Sequence, residues 1–125
     1  MIIAYWIVAA LLALLSVGPG MLKLIRPKAA IRSMGAPFAW TDDFAQWQIK
    51  AIGAAEVLGA IGVLVPMATG ILPVLSPIAA LGLAILQAGA FVVHVRRGEL
   101  PVANMVIFAL AGATAVLGFF VLGGL

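Results

Sequence analysis

Six side chains in this sequence could do chemistry where chemistry is least expected: Glu56, Gln87, His94, Asn104, Lys23 and Lys50, set in or beside long apolar runs. A polar group within hydrocarbon is costly and is retained for a partner or a use. Glu56 stands nine residues beyond Trp47, which is roughly 14 Å along a helix and close to the midplane of a bilayer. Gln87 precedes Arg96 by the same interval and reaches a similar depth. His94 follows Gln87 by seven residues, two turns along the same helix face. Asn104 lies one turn into the last apolar run. Lys50 sits near an edge from which it can snorkel, and Lys23 closes the first run.

A midplane carboxyl group and an imidazole that titrates near neutral pH suit proton handling. Glu56 and His94 are therefore the leading pair for that role, and Gln87, Asn104, Lys23 and Lys50 join them as candidate ligand-binding residues. Each also has a purely structural reading. Glu56 could pair with a basic group for helix packing, and His94 could be an ordinary boundary residue. Gln87 and Asn104 could be hydrogen-bond glue between helices, and Lys23, Arg96 and Arg97 could serve topology alone. The only track these residues define runs through one half of the apolar runs, and a cavity opening at that side would account for it.

Other chemistries are missing from the residues. There is no cysteine and one histidine, so thiolate metal sites, disulfides, a Cys nucleophile and bis-histidine haem are excluded. No Gly-rich phosphate loop, HExxH motif or Ser/His/Asp set occurs. Neither a metal nor a covalent cofactor is expected.

The elements that must position these side chains follow from composition. Of 125 residues, 66% are hydrophobic and 9% charged, against about 45–50% and about 25% in average proteins. The mean hydropathy is +1.28. A soluble domain of this length could not cover its surface with so few charges, and disorder needs the opposite composition. The chain reads as a single all-α membrane domain over residues 1–125, surrounded by lipid. The formal charge of +3 is explained by where the charges fall, so no nucleic-acid partner is implied.

Four transmembrane helices are expected, over about 2–22, 44–65, 77–95 and 101–122. Residues 1–22 carry no Asp, Glu, Lys or Arg, and neither do residues 57–95, a stretch roughly twice one span. Pro66, Gly70, Pro73 and Pro77 mark the turn inside it. A bilayer admits only helices or closed barrels, and the alternation a barrel needs is absent. No basic residue precedes the first run, so it reads as a retained helix rather than a signal peptide. Lys23, Arg26, Lys28 and Arg32 fall in the first loop, and Arg96 and Arg97 in the third. With four spans these loops share a side, which places them in the cytoplasm and both termini outside. Tyr5 and Trp6 would anchor the outer edge, and Trp40 and Trp47 the inner one. The first loop could hold a short interfacial helix over Pro27–Gly35 or be an ordered surface loop, with Asp42 capping the second span. Gly18-Pro19-Gly20 should kink or loosen the first span. Gly53, Gly59 and Gly62 would allow close helix packing.

Taken in order, Gly20-Met-Leu-Lys23-Leu24, Arg26-Pro27-Lys28, Ile52-Gly53-Ala-Ala-Glu56-Val-Leu58-Gly59-Ala-Ile-Gly62, Pro66, Thr69-Gly70, Pro77, His94-Val-Arg-Arg97-Gly98-Glu99 and Asn104 give a pattern that resembles the DoxX-like family of small four-helix bacterial membrane proteins. The resemblance covers nearly the whole chain and implies a multi-pass protein of the bacterial inner membrane. It also implies membrane subunits associated with thiosulfate:quinone oxidation or with oxidative-stress complexes, and more distantly a receptor chaperone. Glu56 and His94 match positions that the family pattern features. Gln87 stands where an apolar residue is expected.

Three functions are compatible with this reading. The first is a redox-linked accessory, more a helper than an enzyme on its own, that binds a quinone or similar apolar molecule in a cytoplasmic-side cavity. The second is a non-catalytic scaffold or assembly factor for a redox or other membrane protein, with a homo-oligomer also open. The third is a hydrophobic small-molecule carrier, for which four short helices without an internal repeat offer little machinery.

Overall fold

A computed structural model describes residues 1–124. Four long helices carry the fold: α1 (Ile2–Ile25), α3 (Gln46–Thr69), α4 (Leu75–Arg96) and α5 (Val102–Leu122). Between α1 and α3 lie a one-turn helix, α2 (Lys28–Arg32), and a 3-10 segment (Ala36–Asp43). Each long helix is long and apolar enough to cross a membrane, and no strand occurs among the described residues. The protein is all-α.

The boundaries depart from those expected for local reasons. The second span begins at Gln46 rather than Phe44, with Ala45 as its N-cap. The Gln48 side-chain oxygen accepts the Ala45 backbone N–H at 2.8 Å, satisfying a donor that helix starts otherwise orphan. Asp42 is not the cap. It lies in the 3-10 segment and accepts from Arg32 Nε at 3.1 Å. At its other end α3 continues through Pro66 to Thr69 instead of stopping at Val65. Proline removes one ladder donor and disturbs the turn before it, and neighbouring side chains compensate. Tyr5 donates its hydroxyl to the Val63 carbonyl at 2.7 Å, and the Met67 N–H donates to Ser76 Oγ at 2.9 Å. The turn shrinks to residues 70–74, entered by Gly70 in the left-handed region at φ 71°, where glycine carries no steric penalty. In α1 the helix runs on through Gly18-Pro19-Gly20 to Ile25, three residues past the expected end.

The helices form a ring in which α1 packs on α3 and α5, and α4 packs on the same two. One half of this ring is solid. Tyr5, Ala9 and Leu12 of α1 meet Val63, Leu83, Ile107 and Ala111 there. Tyr5 is fully buried, so it is a core residue whose hydroxyl found a carbonyl, not the interfacial anchor its position suggested. Trp6 packs edge-on against it at 5.3 Å. Trp47 is 70% exposed on the outside of the bundle.

In the other half α1 and α3 approach backbone to backbone. A Cβ on Gly20 would lie 2.9 Å from the Gly53 carbonyl oxygen, and one on Gly53 would lie 2.7 Å from that of Gly20. No other residue type fits that crossing without moving a helix.

Candidate functional site

One turn beyond the glycine crossing stand Lys23 and Glu56. Lys23 Nζ donates to Glu56 Oε1 at 2.5 Å, with both side chains largely buried. Across the ring, Asn104 Nδ2 of α5 donates to Gln87 Oε1 of α4 at 2.7 Å. At the end of α4, His94 Nδ1 lies 3.0 Å from Glu99 Oε1.

These three pairs surround a half-open cleft of about 610 Å³ inside the bundle, at the end that carries the basic loops. That volume falls within the range of small-molecule sites, about 300–1,000 Å³. All four long helices contribute: Pro19 and Lys23, Ile52 and Glu56, residues of α4 from Ile85 to His94, and Ala103, Asn104 and Ile107. The walls are mostly apolar, with polar groups at a few points. The 3-10 segment covers the mouth, bringing Phe38 and Trp40, followed by Phe44, against the opening. The Lys23 ammonium stands 5.6 Å from the Trp40 ring centroid, a cation–π distance. Trp40 and Phe44 meet edge to face at 5.8 Å. Trp40 thus belongs to the cleft as well as to the region of an interfacial anchor.

Of the candidate residues, Glu56, His94, Gln87, Asn104 and Lys23 all line this space. Lys50 does not. Its Nζ donates to the Leu24 carbonyl at 2.9 Å, so the flexible stem serves an orphan carbonyl at the end of α1. Glu56 and His94 share the cleft without bonding to each other, since each has its own partner.

The sequence reading passed over Asp43 and Glu99. Arg97 Nη1 donates to Asp43 Oδ2 at 2.8 Å, and Arg97 Nε lies 3.2 Å from Glu99 Oε1. The hydrogen bond to Asp43 pushes the Arg97 pKa up, burial opposes it, and the charges of Asp43, Glu99 and Asp42 add to the rise. Arg97 therefore keeps its charge and ties the 3-10 segment to the end of α4. Acidic residues in loops are ordinary, so nothing marks Asp43, and Glu99 is marked only by its place in the His94–Glu99 stretch of the family pattern.

A smaller groove of about 440 Å³ between α4 and α5 is also lined by Gln87 and Asn104, with Phe91, Met105 and Phe108 among its other walls. No group of three His, Asp or Glu side chains stands close enough to hold a metal ion among the described residues.

The model of one protein family, described as the DoxX-like family, matches residues 7–119 of the chain. No curated protein and no solved structure matches it at a significant level.

Proposed function

The chain belongs to the DoxX-like family, and from that premise we propose that this multi-pass membrane protein is a redox-linked accessory binding a quinone or similar apolar ring compound. The bundle cleft is its site. The observation that carries this is the make-up of the cleft. Apolar and aromatic walls enclose about 610 Å³, while polar atoms with unused hydrogen-bonding capacity stand at a few fixed points, as in small-molecule sites generally. The residues fit such a ring. Phe38, Trp40 and Phe44 offer faces for stacking, and the amides of Gln87 and Asn104 retain N–H donors and carbonyl acceptors beyond the bond they share. Bound there, a quinone would supply two-electron chemistry. Glu56 and His94 would hold or move its protons, Glu56 through the hydrogen bond to Lys23 and His94 through its free ring nitrogen. In this reading the basic loops face the cytoplasm of a bacterial inner membrane, and electrons come from a protein partner.

The test is mass spectrometry of organic extracts from protein purified in mild detergent, comparing wild type with Glu56→Gln and Gln87→Leu. A quinone enriched in wild type and lost in both variants supports the site. Extracts holding only bulk lipid in all three overturn it.

A scaffold reading has one observation in its favour. Gly82 lies on α4 with open space above it, a thin point where another helix could approach closely. Co-purification of one membrane protein, lost in Gly82→Leu but not in Glu56→Gln, would favour it.

A further inference from the structure

We propose that Glu99 sets the tautomer of His94, so that the cleft selects a ring bearing hydroxyl groups, such as a hydroquinone, over the corresponding carbonyl form. This rests on the ligand reading above and adds the chemical state of the ligand and a residue that determines it.

The bond between His94 Nδ1 and Glu99 Oε1 spans 3.0 Å. An ionised carboxylate accepts only, so the hydrogen between the two atoms resides on Nδ1. In the neutral imidazole the other nitrogen, Nε2, then carries a lone pair and no hydrogen. Nε2 makes no hydrogen bond among the described residues, and His94 lines the cleft. Arg97 Nε lies 3.2 Å from the same Glu99 oxygen, so a cation also faces that carboxylate.

The remaining polar atoms do not discriminate. Asn104 gives one Nδ2 hydrogen to Gln87 Oε1, and the two amides keep further N–H donors as well as carbonyl acceptors. Lys23 and Glu56 form an ion pair that likewise offers both donor and acceptor capacity. His94 Nε2, an acceptor with no hydrogen of its own, is the group that does discriminate. A carbonyl oxygen can only accept and would leave it unmatched, whereas a hydroxyl donates to it. An unmatched buried acceptor costs more than a made bond returns, so the preference is for the hydroxyl form.

Two measurements test this. The sequence has a single histidine, so its imidazole nitrogens give an unambiguous ¹⁵N spectrum. At a pH where the ring is neutral, wild type should show a protonated Nδ1 and a bare Nε2. Glu99→Gln, which can donate to Nδ1 as well as accept from it, should lose the fixed tautomer and give a mixture of the two, and Glu99→Asp should retain the wild-type one. In parallel, a decyl-tailed 1,4-benzoquinone and its hydroquinone are titrated anaerobically into purified protein, read by tryptophan quenching. Wild type should bind the hydroquinone roughly tenfold more tightly, the scale of one buried hydrogen bond. Glu99→Gln should erase that ratio while its ¹⁵N spectrum reports an intact fold. A bare Nδ1 in wild type, or equal binding of both forms, overturns the inference and leaves the ligand reading standing. Quenching by neither form overturns both.

Discussion

Gly20 and Gly53 sit so close that each carbonyl occupies the space where the other residue's Cβ would be. One turn later the same approach brings Lys23 Nζ onto Glu56 at 2.5 Å. Backbone contact sets the helix separation, and that separation decides whether a lysine and a buried carboxylate can share a hydrogen bond.

Gly53→Ala should therefore separate α1 from α3 and cost about 1–3 kcal/mol through overpacking. Gly89→Ala, where an added Cβ meets nothing within 4 Å, should be neutral or gain up to about 1 kcal/mol from helix propensity. Denaturation curves in one detergent, compared for the two variants, check this contrast.

Removing one member of the Lys23–Glu56 pair leaves a buried charge without its partner. Glu56→Gln or Lys23→Met alone should each destabilise by about 3–5 kcal/mol, whereas Lys23→Met with Glu56→Leu should recover most of the loss. A double-mutant cycle on unfolding free energy measures the coupling. Additive single effects would mean that the two side chains act independently.

Asp43→Asn should leave global stability within about 1 kcal/mol, the usual worth of a partly exposed ion pair. Its effect should be local. Amide exchange across the 3-10 segment Ala36–Asp43 should accelerate while exchange in the middle of α3 and α5 stays at the wild-type rate. Uniform acceleration would show that the pair supports the whole bundle.

Lys50→Met should not change the amount of apolar compound that co-purifies, because Lys50 serves the Leu24 carbonyl and does not line the cleft. Loss of ligand in this variant would require that side chain to reach the site.

The four spans were legible because charge-free runs and proline clusters report directly on the solvent in which a helix must sit. The helix ends were less so. Gln48 capping Ala45, and Tyr5 and Ser76 compensating α3 around Pro66, are side-chain events at particular distances, and the Tyr5 bond joins residues far apart in the chain. Glu56, Gln87, His94, Asn104 and Lys23 could be gathered from sequence because polarity inside hydrocarbon demands a reason. Lys50 has the same composition signal but spends it on a helix end. Asp43 and Glu99 lie outside the spans, where a carboxylate needs no explanation, and only the fold brings them to Arg97 and His94.

The solid half of the ring and the hollow half have a mechanical consequence. Lys23–Glu56 fastens α1 to α3, and Gln87–Asn104 fastens α4 to α5. Between these two hairpins, among the described residues, side-chain hydrogen bonds cross only at Met67–Ser76 on the solid end and Asp43–Arg97 on the hollow end. The molecule is thus two arms whose polar seam is stitched at its two ends, by a serine where the core is packed and by an arginine where it is hollow. Losing the arginine stitch would break no side-chain hydrogen bond inside either arm.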